Sequence, residues 1–164
     1  MIQSVKPAPT DETDGLPMPK RIWAVISVGF ALCMSVLDVN IINIVLPTLS
    51  HDFGTSPAVT TWIINGYQLA IVVSLLSFSA LGEIIGYRKV YLSGIGLFCI
   101  TSLICALSDS FWTLTIARIF QGFSASAITS VNTAQLRYIY PKSQLGRGMG
   151  INAMVVAISA AAGP

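Results

Sequence analysis

Five apolar stretches, separated by short polar joints, occupy nearly all of the chain beyond residue 21. They run from about Ile22 to Leu46, Val59 to Leu81, Val90 to Leu107, Trp112 to Leu136 and Met149 to Pro164. A helix needs about 20 residues, at about 1.5 Å each, to cross about 30 Å of hydrocarbon. The first, second and fourth stretches reach that length easily, with Pro47 expected to close the first. The third is near the lower limit, and the fifth is incomplete or barely able to cross. The expected fold is therefore an all-α membrane protein with about five transmembrane helices. Composition agrees: charged residues make up only 10%, against about 25% in soluble domains, and the mean hydropathy is +0.74.

The joints set an orientation. Lys20 and Arg21 precede the first stretch, Arg88 and Lys89 lie between the second and third, and Arg137, Lys142 and Arg147 flank the joint before the fifth. The alternate loops hold His51, Asp52 and Asp109 and neither lysine nor arginine. By the positive-inside rule the N-terminus is cytoplasmic, in a multi-pass protein of the cell membrane. Residues 1–21, with Pro7, Pro9, Pro17 and Pro19, read as a disordered cytoplasmic tail. The first apolar stretch is too long for a signal-peptide core. Trp23, Trp62 and Trp112 stand near span ends, where indole rings anchor at the headgroup level.

Several chemistries find no support. The net charge of +2 is spread over span ends rather than gathered in a patch, so nucleic acid is not an expected partner. His51 and Asp52 are too sparse for a metal site. Cys33, Cys99 and Cys105 lie in apolar stretches, where a thiol behaves as a small hydrophobe. No nucleophile–base pairing, phosphate loop or nucleotide motif is present, so neither an enzyme nor a cofactor is expected.

Two charges stand within the apolar spans, Asp38 in the first and Arg118 in the fourth. Charges at membrane depth are costly and line pathways or pair with each other. Successive helical residues turn by about 100°, which puts Arg118, Gln121, Gly122, Ala125, Thr129, Asn132 and Thr133 in one sector. Ile116, Phe120, Phe123, Ala127 and Val131 fall on the far side. The polar stripe is either a packing face or a cavity wall, and Arg118 favours the wall. Asp38 points one way on the first span with Asn40 and Asn43 nearly opposite, as on a helix surrounded by protein. The second span has a weaker stripe, Thr61, Asn65 and Gln68. Arg118 lies roughly 9 Å, and Asp38 roughly 16 Å, in from the outer ends of their helices at 1.5 Å per residue, a difference an arginine can bridge. If paired, the arginine favours the ionised carboxylate, and an arriving proton weakens the pair. The alternative is a static ion pair that only fixes packing.

Four motifs carry a resemblance. Leu37-Asp38-Val39-Asn40-Ile41-Ile42-Asn43-Ile44-Val45-Leu46-Pro47 resembles the first-span motif of the fourteen-span drug/proton antiporter branch of the major facilitator superfamily. Ser79-Ala80-Leu81-Gly82-Glu83-Ile84-Ile85-Gly86-Tyr87-Arg88-Lys89 is similar to the superfamily's loop motif between spans two and three. Ser79 replaces its first glycine, and Ile84 and Tyr87 stand where basic residues are common. Arg118-Ile119-Phe120-Gln121-Gly122 resembles the fourth-span motif, and Ser159-Ala160-Ala161-Ala162-Gly163-Pro164 the opening of the antiporter signature.

The resemblance implies the N-terminal part of a major facilitator helical bundle engaged in proton-coupled efflux of small amphipathic or cationic compounds. Asp38 and Arg118 would manage the proton, and Asn40, Asn43, Asn65, Gln68 and Gln121 would face substrate. Glu83, Gly86 and Arg88 would form a cytoplasmic latch, with Gly86 giving the tight turn. Gly163 and Pro164 would begin a leak-limiting bend. The implied partners are a small-molecule substrate, protons, the lipid bilayer and a C-terminal half not contained in the chain. Two rival expectations are a truncated, non-transporting membrane fragment and a small transporter built from several copies. Gly82-x-x-x-Gly86 and Gly146-x-x-x-Gly150 lie at cytoplasmic joints and read as turn and close-approach glycines.

Overall fold

Pro17 and Pro19 stand at the start of the first helix. The computed structural model describes residues 15–162, and helix α1 spans Met18–Asp52 with Pro17 as its N-cap and Pro19 in its first turn. Proline is pre-shaped for a first turn, where the missing N–H has no helical partner anyway. The last four residues of the expected tail, 18–21, are therefore helical. Residues 1–14, Gly163 and Pro164 lie outside the described residues.

Pro47 does not close α1, contrary to expectation. The helix continues through it to Asp52, and Phe53 N–H still bonds to Leu49 O at 3.0 Å. A proline removes one backbone bond and crowds the carbonyl four residues earlier, here that of Asn43. Both residues are exposed, so that carbonyl is not sealed away from other partners. Gly54, with φ of +60°, then turns the chain.

The second span is assembled from two pieces. Ser56 caps α2 (Pro57–Thr60) by accepting from Val59 N–H, and only Thr61 separates it from α3 (Trp62–Ile85). Gly86, at φ +99°, is the entire connection to α4 (Tyr87–Ala106), a conformation that L side chains rarely adopt. Ser110 caps α5 (Phe111–Ile139), accepting from Thr113 N–H at 3.2 Å. Pro141 ends it, and a 3-10 turn at Lys142–Gln144 leads into α6 (Leu145–Ala161).

Helix α5 is the centre of the bundle, with α3 and α4 packed closely against it and α1 on a further side. Small residues make this possible. A Cβ on Gly122 would collide with the Tyr67 carbonyl of α3 and stand 2.9 Å from Ala70 Cβ. Gly94 of α4 sits against Ala127, Ile128 and the Ser124 carbonyl. Ser126 donates across to Ile71 O of α3 at 3.3 Å. Ala127 and Val131, on the side of α5 opposite the polar stripe, are thus buried under α4 and the α3–α4 turn. A packing stripe and a polar stripe share this helix, and only the polar one shows in its sequence.

Helix α1 leans on α6 as well as α5: Gly29 abuts Val155, and Asn40 Nδ2 donates to Ala160 O at 3.4 Å. Near the start of α1, Leu16 N–H bonds to Ile139 O and Arg21 bonds to both Leu16 O and Gln144 Oε1, each at 3.1 Å. This ties the chain ahead of α1 to the α5–α6 joint.

Among the described residues, Met18–Asp52, Pro57–Ile85 and Tyr87–Ala106 are long and apolar enough to cross a membrane. Helix α5 has the length, 29 residues, but its polar side chains are turned onto its neighbours. Helix α6 has 17 residues. Leu69, Val72, Val73 and Leu76 face outward on α3, and Trp23, Trp62 and Trp112 are exposed near helix starts. Of the paired glycines, Gly82 is closely packed on Tyr87 and Val131, whereas Gly146 and Gly150 meet nothing within 4 Å. The glycine at the close approach is Gly148, under the Tyr140 ring.

Gly122→Val is expected to destabilise the bundle by about 1–3 kcal/mol through overpacking, read as a lower melting temperature in detergent. Gly96→Ala, whose Cβ meets nothing within 4 Å, is the matched control. Equal melting of the two variants would contradict the α3–α5 contact.

Candidate functional site

Asp38 of α1 and Arg118 of α5 meet inside the bundle. Arg118 Nη1 donates to Asp38 Oδ2 at 2.7 Å, and Gln121 Nε2 donates to Asp38 Oδ1 at 3.1 Å. Their burial makes the contact consequential: the Arg118 and Asp38 side chains are 8% and 16% exposed, and Gln121 is fully buried. A charge-assisted bond is stronger than a neutral one and is little screened in such surroundings. Each carboxylate oxygen has one donor, so the anion is held from two sides. The arginine is held less completely, because its buried Nε has no hydrogen-bond partner among the described residues.

The local sequence explains the arrangement. Arg118 and Gln121 are three residues apart, hence neighbours on one face of α5, and both reach α1. Gly122 turns its bare backbone to α3, so the helix can pack there without displacing them. From α4, Cys105 Sγ approaches Gln121 Oε1 at 3.6 Å. Its half-buried thiol packs on Ile42, Ile63 and Leu114, as expected of a small hydrophobe, and adds this one polar contact.

A cavity of about 260 Å³ opens one turn away between α1, α3 and α5. Ser35, Asn40, Tyr67 and Thr129 supply its polar lining, with Val36, Ile71 and other apolar groups completing it. Ser35 Oγ is buried with no partner among the described residues. An unmade hydrogen bond of this kind costs about 1–3 kcal/mol.

The other sequence-derived residues divide by position. Asn40 lines the cavity. Asn43 is exposed and bonds back to Val39 O at 3.0 Å. Asn65 and Gln68 are exposed on α3, whose buried face is Ile63, Tyr67, Ala70, Ser74 and Gly82. The stripe read in the second span therefore points away from α5. Glu83 and Arg88 are exposed on either side of Gly86, and among the described residues Glu83 forms no ion pair with Arg88 or Arg137. Ser35 and Tyr67 carry no chemical mark in the sequence that singles them out. The signal for Tyr67 was its spacing from Ile63, Ala70 and Ser74; Ser35, three residues before Asp38, falls on its side of the helix.

A sequence model described as the Major Facilitator Superfamily matches residues 28–164. The chain is 52% identical over 156 residues to the uncharacterized transporter YebQ of Escherichia coli K12, covering 95% of this chain and 34% of that protein. It is 32% identical over 146 residues to the riboflavin transporter RibZ of Clostridioides difficile, covering 88% of this chain and 32% of that one. To the tetracenomycin C resistance and export protein of Streptomyces glaucescens it is 33% identical over 160 residues, covering 97% and 30%. The chain thus spans about a third of the length of these curated relatives.

Removing one member of the ion pair strands the other. Arg118→Gln or Asp38→Asn alone is expected to destabilise by about 3–5 kcal/mol, and the double variant to recover much of it. Thermal melting of all four proteins in detergent closes the cycle; a double variant less stable than either single one would refute the pairing energetics.

Proposed function

The chain belongs to the major facilitator superfamily, and from that membership we propose that its helices form one flank of a proton-coupled exporter of small amphipathic or cationic compounds. The observation that carries this reading is the buried Asp38–Arg118 pair, 2.7 Å long, beside the 260 Å³ cavity. A static packing pair has no need of a neighbouring cavity with an unpartnered hydroxyl in its wall.

The proton's part follows from the bonding inventory. As a carboxylate Asp38 accepts from Arg118 and Gln121 and ties α1 to α5. A proton on Asp38 removes the charge that Arg118 compensates, leaving a buried cation with no anion. That state is relieved when the helices part and water or substrate reaches the guanidinium. Loss of the proton draws them together again. Substrate movement in one direction is thereby tied to proton movement in the other, with the rocking of two repeats that such carriers use. The opposing flank of the pathway comes from further helices, and exposed Asn43, Asn65 and Gln68 would face it. Glu83, Gly86 and Arg88 would latch that flank on the cytoplasmic side, and Gly163 and Pro164 would limit leak.

The names of relatives support export of small molecules: drug efflux pump JefA of Mycobacterium tuberculosis, the tetracenomycin C exporter and a methylenomycin A resistance protein of Streptomyces coelicolor. The N-terminus would be cytoplasmic, because Lys20, Arg21, Arg88, Lys89, Arg137, Lys142 and Arg147 flank α1's start and the α3–α4 and α5–α6 joints. In whole cells a membrane-impermeant thiol reagent is expected to label Asp109→Cys and to spare Lys89→Cys; the reverse would invert the topology.

In inside-out vesicles carrying the native protein, an exported compound is expected to drain an imposed pH gradient, read by a pH-sensitive dye. Asp38→Asn and Arg118→Ala should each slow drainage at least about tenfold, equivalent to ~1.4 kcal/mol. Drainage by Asp38→Asn at the wild-type rate would rule out this residue as the proton carrier.

A further inference from the structure

A primary amide presents two unlike faces, an NH2 that donates and a carbonyl oxygen that accepts. Which face Gln121 turns to Asp38 decides which protonation state it favours. A carboxylate only accepts, so it is served by Nε2, as found at 3.1 Å. A protonated Asp38 carries an O–H donor and would be served by Oε1. The end of a glutamine side chain has broad, roughly two-fold torsional freedom, so half a turn of the amide exchanges the two faces without moving either helix.

In the structure Oε1 is engaged elsewhere. It accepts from the Cys105 thiol at 3.6 Å, across from α4. We infer that Cys105 is a positioning residue for the proton site: by donating to Gln121 Oε1 it holds the amide with Nε2 on Asp38 and so biases the site toward the unprotonated carboxylate. The chain of bonds runs Cys105 to Gln121 to Asp38, with Arg118 closing the far side of the anion. Gln121 is fully buried, so water offers no substitute donor at Oε1. The contact itself is independent of function, whereas its consequence for protonation rests on Asp38 being the proton carrier.

The rival account is space-filling. Cys105 also packs against the cluster of Ile42, Ile63 and Leu114, and a side chain that only fills space is replaced best by an apolar one of similar size. Donation and volume therefore make opposite forecasts for Cys105→Val and Cys105→Ser in vesicles carrying the otherwise native protein. If the thiol donates, Cys105→Val and Cys105→Ala both move the pH midpoint of compound-driven proton release upward, by about half a unit for loss of one weak bond. Cys105→Ser, which keeps a donor, returns it toward wild type. If the thiol only fills space, Cys105→Val behaves as wild type and Cys105→Ser is the damaged one, which would overturn the inference.

The infrared S–H stretch provides a readout that needs no transport. The band lost in Cys105→Ala should shift in Gln121→Leu, because that substitution removes the acceptor. An unmoved band overturns the inference whatever the vesicles show. A shifted band with an unshifted midpoint in Cys105→Ala overturns the effect on protonation and leaves only the contact. A wild-type profile flat in pH, with Asp38→Asn fully active, instead refutes the proton-site reading, and the inference falls with it.

Discussion

A single buried carboxylate decides how this bundle can be arranged. Asp38 cannot lie among apolar side chains as a bare anion, since an unpaired buried charge is among the costliest features of any interior. Arg118 faces the same difficulty, and each resolves it for the other. The price is that α1 and α5, far apart in sequence, must touch at one depth. Gln121 can then complete the anion's second oxygen only if α5 presents that face to α1. This leaves the remaining faces of α5 for α3 and α4, and glycine, alanine and serine there let those helices come close enough to cover it.

The electrostatic and the steric demands on α5 are met by different residues at interleaved positions. Arg118 and Gln121 serve the first; Gly122, Ser124, Ala125 and Ala127 serve the second. That division keeps the ion-pair contact with α1 separate from the α3–α5 packing seam. Helix α1 packs more extensively on α6 than on α5, with Gly29 against Val155 and Asn40 bonded to Ala160 O.

Much of this was legible in the sequence because membrane depth makes polar residues conspicuous. Asp38, Arg118 and Gln121 stood out by chemistry alone, and rise per residue put the two charges within reach. What stayed hidden lacked that contrast. The burial of Ala127 and Val131 is invisible to a polarity stripe, since alanine and valine suit lipid and protein equally. Asn65 and Gln68 stand out by polarity but lie off the packed side of α3, which is marked by size instead, through Tyr67, Ala70 and Ser74. Proline at 47 reads as a stop, whereas an exposed stretch near a helix end tolerates it. Cys105 was legible only as a hydrophobe, because its partner lies 16 residues away on another helix.

The ion pair also imposes an order on biosynthesis. Arg118 follows Asp38 by 80 residues, so at ribosomal speeds of about 5–20 residues per second the acid emerges roughly 4–16 s before its base. Through that interval α1 must be handed to the membrane, or held beside it, with its acid unanswered. The hairpin of α3 and α4, joined by Gly86 alone, is made in between and can enter as one piece. The insertion machinery, rather than the finished bundle, is then the first partner Asp38 meets.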